Sequence, residues 1–353
     1  MTRLPNRSAL AVTTLALLLA ALAPDAHTAG VSTRPDPPPE AATAPARPER
    51  PATAPQAPSP VPVSSMRSID RRTTAPTGTL PRYDPDQLLG VAYGPDPAHR
   101  LDIHPPTLAN GLAVLWLHPG GWTSGDRTGM GPIVDQLVAD GAVVFSADYR
   151  LTPDHAFPAQ IHDVKRAIRY VKARRGDFLH RRLVVAGASA GGHLAALAAT
   201  SAGALEPVDL PPELARHDSS VDGAISLSGP MDLTRFWKAD HPWAKGLSDA
   251  FLRCDGPDCD PTLMLEASPV GWVDPEDPPL YVAAGTEDTL VTAVDNGDRL
   301  WETVQEQGDP DRCWYDRVDG GTHNLWDTLD LTRLQQFLTH FGLVRPATGP
   351  VVA

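Results

Sequence analysis

The stretch Gly187-Ala188-Ser189-Ala190-Gly191 joins two segments of opposite character and restricts the fold more than any other part of the chain. Before it, Arg182-Leu183-Val184-Val185-Ala186 is short, apolar and partly β-branched, the pattern of a buried strand. After it, Gly192 to Thr200 is rich in Ala and Leu and predicts a helix. A strand that enters a helix through Gly-x-Ser-x-Gly must turn sharply, and the glycines make that turn possible. Such a turn lifts the Ser189 hydroxyl above the sheet edge. The helix start behind it offers unpaired N–H groups to developing negative charge.

A serine hydroxyl is a poor nucleophile at neutral pH, so it needs a base to take its proton and an acid to orient that base. Partners follow in the order Ser, acid, His, each on a loop just after a strand. Pro279-Leu280-Tyr281-Val282-Ala283-Ala284 reads as a buried strand and runs into Gly285-Thr286-Glu287-Asp288-Thr289-Leu290-Val291. Cys313-Trp314-Tyr315-Asp316-Arg317-Val318 alternates like a strand and leads to Gly320-Gly321-Thr322-His323-Asn324. The spacing from Gly285 and the following Leu290-Val291 favour Asp288 as the acid over Glu287 and Asp295. His323 is favoured as the base over His155, His162 and His193, which precede, begin or lie on helices and read as surface or packing residues.

Upstream, Leu112–Leu117 reads as a strand ending in His118-Pro119-Gly120-Gly121-Trp122, a turn suited to an oxyanion hole. The candidate donors are the backbone N–H groups of Gly120, Gly121 and Ala190; Pro119 has none to give. His118 reads as a structural hydrogen-bonding residue. Trp122 and Trp326 are candidates for the substrate pocket, and packing is an equal alternative for such large aromatics.

These residues resemble the α/β-hydrolase superfamily, in particular the esterases related to hormone-sensitive lipase and to feruloyl and acetyl esterases. The family's His-Gly-Gly-Gly-Trp turn is matched by His118–Trp122 with Pro119 replacing one glycine, followed by Ser124-Gly125-Asp126. Asp148-Tyr149-Arg150-Leu151 with Pro153–Ala159, and the early hairpin Val91–Gly94 with Leu101–Ile103, match further family signatures. The resemblance runs from about Tyr83 to about Val344. It implies a serine hydrolase cleaving short-chain carboxylic esters through an acyl-enzyme on Ser189, His323 and Asp288, with acetyl or feruloyl groups on plant polysaccharide as candidate substrates. Amide or formamide hydrolysis on the same three residues is the alternative, because kynurenine formamidase resembles this fold with a similar His-Gly-Gly turn. A catalytically inactive surface-binding module is a third reading, and the complete set of three residues argues against it.

The wider chain alternates strand and helix after the hairpin, which predicts an α/β fold of the α/β-hydrolase type, a mostly parallel sheet with helices on both faces. Strands are expected near 112–117, 143–147, 183–186, 223–227, 280–284 and 313–318. Helices are expected near 132–139, 158–174, 191–201, 292–307 and 328–341. The stretch Met231–Ser268 has no clear period and reads as a small lid or pocket wall. Asp148 and Arg150 read as a supporting ion pair.

Residues 1–29 read as a secretory signal peptide: Arg3 and Arg7 precede an apolar run from Ala9 to Ala23, too short for a comfortable membrane span. Cleavage sites are offered after Ala23, Ala26 or Ala29, and an uncleaved anchor is the alternative. Residues 30–80 form a Pro/Ala-rich segment, about one-third proline between Val31 and Pro62, whose composition predicts a disordered linker or stalk without a core, a pro-segment being the equal alternative. It does not resemble the helical cap of many lipase relatives, so no large N-terminal cap is expected. The catalytic domain spans 81–345 and a short tail 346–353.

Export also fits the three cysteines: Cys254 and Cys259 bracket a turn and are expected to form a local disulfide, leaving Cys313 buried. So short a loop contributes about 2 kcal/mol. No Cys or His pair has metal-ligand spacing, and no phosphate- or dinucleotide-binding glycine motif follows a strand, so neither metal nor cofactor is expected. A formal charge of −13 disfavours nucleic acid and anionic membrane as partners.

Overall fold

Runs of Val, Leu, Ile and Ala become strands here because the sheet is covered on both faces and each residue of a central strand needs an apolar neighbour. The computed structural model describes residues 84, 88–238, 242–254 and 258–344. The segments read as signal peptide, Pro/Ala-rich linker and C-terminal tail lie outside these residues, as does the question of an N-terminal cap.

The strands are β1 (Val91–Ala92), β2 (Arg100–His104), β3 (Leu112–Leu117), β4 (Val143–Ala147), β5 (Arg182–Ala188), β6 (Gly223–Leu227), β7 (Leu280–Gly285) and β8 (Cys313–Val318). They form one sheet in the order β1-β2-β4-β3-β5-β6-β7-β8. The β1–β2 and β2–β4 pairs are antiparallel, and every pair from β4 to β8 is parallel. The register sets Leu117 beside Gly187 and Gly285 beside Val318, so the loops leaving β3, β5, β7 and β8 emerge on one edge.

The helices are α1 (Pro132–Ala139), α2 (Ala159–Ala173), α3 (Ala190–Thr200), α4 (Pro212–Ala215), α5 (Leu233–Lys238), α6 (Pro242–Leu252), α7 (Pro261–Glu266), α8 (Gly297–Gln307) and α9 (Leu331–His340). Side-chain alternation divides the core in two. Ala113, Leu115 and Leu117 of β3 face a cluster with Ile161, Val164 and Ile168 of α2, Leu194 and Leu197 of α3, and Leu300 of α8. Leu112, Val114 and Trp116 face the opposite cluster, with Ile133, Val134 and Leu137 of α1 and Leu334, Phe337 and Leu338 of α9.

Two helices begin later than their periodicity suggests. Residues 292–296 instead form a turn, in which Asn296 Nδ2 donates to the Thr292 carbonyl and Thr292 Oγ1 to Asp295. Local side-chain bonds of this kind compete with helix. At α9, Asp330 caps the helix by accepting the Thr332 N–H at 2.9 Å, which delays its start to Leu331.

Met231–Ser268, which lacks a clear period in sequence, contains α5, α6 and α7. Each is short, and α6 and α7 open on a proline, which is tolerated in the first turn but blurs the pattern. The expected Asp148–Arg150 pair does not form. Asp148 accepts from Arg127, 2.7 Å away, which also reaches Asp102 at 2.8 Å. Arg150 turns to the buried Asp163 of α2 at 2.7 Å, beside His99. The physical reason is burial: Asp163 is 1% exposed and needs strong donors, and the arginine supplies them.

Phe337 is fully buried against Tyr281, Trp314 and Phe341. Phe337→Ala is expected to lower unfolding stability by about 3–5 kcal/mol. Denaturant titration checks this, and a loss under 1 kcal/mol would contradict the packing described.

Candidate active site

Ser189 sits between β5 and α3 with φ +52° and ψ −121°, a sparsely populated positive-φ backbone that costs a non-glycine residue roughly 1–3 kcal/mol. Its N–H donates to the Leu227 carbonyl at 2.8 Å, and its own carbonyl accepts from His193. The turn is pressed against the end of β3. A Cβ at Gly191 would fall 2.1 Å from the Leu117 carbonyl oxygen and 2.7 Å from that of His118. Only glycine fits there.

The loops after β7 and β8 are joined as closely. A Cβ at Gly285 would fall 2.1 Å from the Gly321 carbonyl oxygen. The Glu287 N–H donates to that same oxygen at 2.8 Å, and the Gly320 N–H donates to Thr286 Oγ1 at 2.8 Å. This clamp brings His323 to Asp288. His323 Nδ1 lies 2.8 Å from Asp288 Oδ2, and Nε2 lies 3.0 Å from Ser189 Oγ.

A carboxylate only accepts, so Nδ1 carries the proton and Nε2 is left to accept from the serine hydroxyl. Asp288 Oδ1 is held by the N–H groups of Leu290 and Val291 at 2.8 and 2.9 Å. The Asp288 side chain is wholly buried, whereas that of His323 is 25% exposed: the acid is shielded and the imidazole can be reached. Neither Glu287 nor Asp295 forms a hydrogen bond or ion pair with His323 among the described residues; Asp295 accepts from Thr292 instead.

The turn after β3 passes through Gly120, Gly121 and Trp122 at φ +125°, +60° and +61°. None of the turn and loop hydrogen bonds of the described residues uses the N–H of Gly120, Gly121 or Ala190, and Ala190 opens its helix, where N–H groups lack an internal acceptor. His118 Nδ1 donates to the Pro119 carbonyl at 2.8 Å, and its ring stacks on Tyr149. Ser189 Oγ is bonded to His323 rather than to His118.

Trp122, read as a possible pocket residue, is 1% exposed and packs against Phe251, His193 and Phe236 instead. Its left-handed backbone turns the indole inward, beneath the glycine turn. Trp326 is half-buried and lies against Trp116 and Gly131 on the α1 side. Helix α6 lies within the stretch expected to form a small lid or pocket wall, and its helical form is the feature at this site that was not expected. Leu247 meets Gly121 and Phe251 meets Trp122. The spacing Ala244, Leu247, Ser248, Phe251 is helical and was the available signal.

Cys254 and Cys259 form a disulfide with Cα atoms 5.2 Å apart, just beyond α6. Asp249 lies close to both sulfurs, but a closed disulfide offers no thiolates to a metal ion. Cys313 is buried, and burial pushes its thiol up to about 12.

Sheet order, parallel register and the placement of Ser189, Asp288 and His323 on one edge define the α/β-hydrolase fold. The family model BD-FAE matches residues 101–302, and the chain belongs to this family. Among curated proteins it is similar to the probable carboxylic ester hydrolase LipM of Mycobacterium tuberculosis (strain ATCC 25618 / H37Rv), 34% identical over 57% of this chain and 48% of that protein. It is also similar to esterase LipQ of the same strain, 35% identical over 59% of this chain and 50% of that protein. The chain thus spans about half the length of the curated relatives it matches. A solved truncated form of a carbohydrate esterase from gut microbiota superposes with a TM-score of 0.63, at 23% identity, over 72% of this chain and 95% of its own.

Gly285→Ala is expected to part the two loops and lower kcat more than it lowers thermal stability; unchanged kcat would show that the clamp is dispensable. Acid sensitivity follows from two buried histidines. Burial lowers His193 and His180 to about 4, below the ordinary imidazole value. The unfolded chain therefore binds these protons first, so their contribution is complete above about pH 6.5 and is lost as pH falls toward 4. Each removes up to roughly 1.4 kcal/mol per pH unit within that window. His193→Gln should flatten the pH dependence of unfolding stability measured between pH 7 and 4.

Proposed function

We propose that this chain is an exported carboxylic ester hydrolase acting on short acyl groups by way of an acyl-enzyme on Ser189. The observation that carries the reading is the continuous hydrogen-bonded chain from Ser189 Oγ through His323 to the buried Asp288. In the first half-reaction His323 Nε2 takes the hydroxyl proton as Ser189 Oγ bonds to the ester carbonyl carbon. The resulting oxyanion is held by the N–H groups of Ala190 with Gly120 and Gly121. Collapse breaks the bond to the alcohol, which leaves with the proton from His323. Water then repeats the sequence and frees the acid, restoring Ser189. Asp288 stays ionised throughout, holding the imidazole tautomer and stabilising the imidazolium.

Membership of the BD-FAE family, the named ester hydrolases among its relatives and the fold shared with a carbohydrate esterase support this reading. The carbohydrate esterase that shares this fold points to acylated polysaccharide as the natural substrate class. Export rests on the charged and apolar run of residues 1–29.

Hydrolysis of p-nitrophenyl esters from acetyl to palmitoyl tests the proposal. Wild-type turnover should fall with chain length, and Ser189→Ala should abolish it while leaving thermal stability nearly unchanged. Asp288→Asn should lower kcat by about 10⁴, because the imidazole then adopts the wrong tautomer. Turnover that survives in Ser189→Ala would overturn the assignment, and faster cleavage of a matched anilide would favour amide hydrolysis.

A further inference from the structure

Helix α6 touches the glycine turn at two successive residues, from one face. Leu247 and Phe251 are four positions apart and so lie one above the other on the helix. A Cβ at Gly121 would fall 2.9 Å from both terminal carbons of Leu247, which places that side chain in direct contact with the turn's backbone. The Phe251 ring stacks on Trp122 with centroids 4.5 Å apart and planes 20° from parallel.

Trp122 also meets the edge of His193 at 5.1 Å, and His193 is one helical turn beyond Ser189. A single aromatic cluster therefore joins the glycine turn, the helix behind the serine and α6. The helix is itself well anchored. The Phe157 N–H donates to the Phe251 carbonyl at 2.7 Å, Trp237 Nε1 donates to Asp249 at 2.9 Å, and the Cys254–Cys259 disulfide follows directly.

The backbone explains why such support is needed. Gly121 and Trp122 both have φ near +60°, a conformation that a bulky residue adopts only under constraint from its surroundings. Rotation at these residues would redirect the peptide groups of the glycine turn, whose Gly120 and Gly121 N–H groups no turn or loop hydrogen bond of the described residues uses. We propose that α6 is a positioning element, in which Leu247 and Phe251 hold Gly121 and Trp122 left-handed and so keep the oxyanion donors aimed at the reacting carbonyl. This rests on the ester-hydrolase reading above, with Gly120 and Gly121 as donors.

The test compares wild type with Phe251→Leu, Phe251→Ala and Leu247→Ala in the full chain. Phe337→Leu, on the opposite face of the sheet, serves as a control for lost stability. Active sites are counted by burst titration, so that unfolded protein does not register as slow enzyme. Two quantities are then read for each variant: kcat with KM for p-nitrophenyl acetate, and affinity for a trifluoromethyl ketone, which binds as a tetrahedral oxyanion.

Phe251→Ala should lower kcat per site by about 10- to 100-fold with little change in KM, since a displaced donor is felt only in the transition state. The ketone should weaken by the same factor, Phe251→Leu should fall between, and Phe337→Leu should lose thermal stability alone. Should Phe251→Ala fail to fold, Leu247→Ala and Phe251→Leu carry the same comparison. If kcat per site stays within about twofold across the α6 variants, or the ketone binds them as tightly as wild type, the positioning role is overturned. An inactive wild type would instead overturn the ester-hydrolase reading.

Discussion

The Leu117 carbonyl lies so close to the Cα of Gly191 that no side chain fits between them, and the arrangement of the site depends on that approach. It follows from the parallel pairing of β3 with β5, which sets Leu117 beside Gly187. With the two strand ends locked together, the glycine turn after β3 lies beside the serine turn after β5. The N–H groups of Gly120, Gly121 and Ala190, which no turn or loop hydrogen bond of the described residues uses, belong to these two neighbouring turns. A larger residue at position 191 would push the serine turn away from the glycine turn.

The same device recurs at the other end of the sheet edge, where Gly285 lies against Gly321 and the two loops exchange hydrogen bonds. Rigid backbone contact, rather than side-chain packing, determines the distance between Asp288 and His323. The side chains then divide according to solvent. Asp288 is enclosed and held by two backbone N–H groups, while His323 keeps a quarter of its surface open. A shielded carboxylate bound to a reachable imidazole suits the proton transfers proposed for His323.

Between β6 and β7 the described residues include helices α5, α6 and α7, and α5 and α6 set Phe236, Leu247 and Phe251 against the glycine turn. Their contribution is indirect. Trp122 is withdrawn from any pocket and buried among Phe251, Phe236 and His193, so its size stabilises the turn rather than contacting a ligand. His193, one turn beyond the serine, spends its Nε2 proton on the Ala267 carbonyl, which ties the nucleophile's helix to the end of the inserted segment. Local strain at Ser189 and Trp122 is thus held by an extensive buried surround.

Much was legible in the sequence because it depends on neighbours along the chain. Apolar runs marked the central strands, with β3, β4, β6 and β8 bounded where the pattern ends, and the order of Ser189, Asp288 and His323 on strand-ending loops pointed to one sheet edge. Other features were decided by tertiary contact. Whether Trp122 lined a pocket or a core, whether Asp148 paired with Arg150 or with Arg127, and which face α6 would present all turned on residues distant in the chain. Periodicity reports which residues avoid water; it does not report which partner they meet. For a buried aromatic or a buried carboxylate, that partner is selected by the closing of the sheet and its surrounding helices.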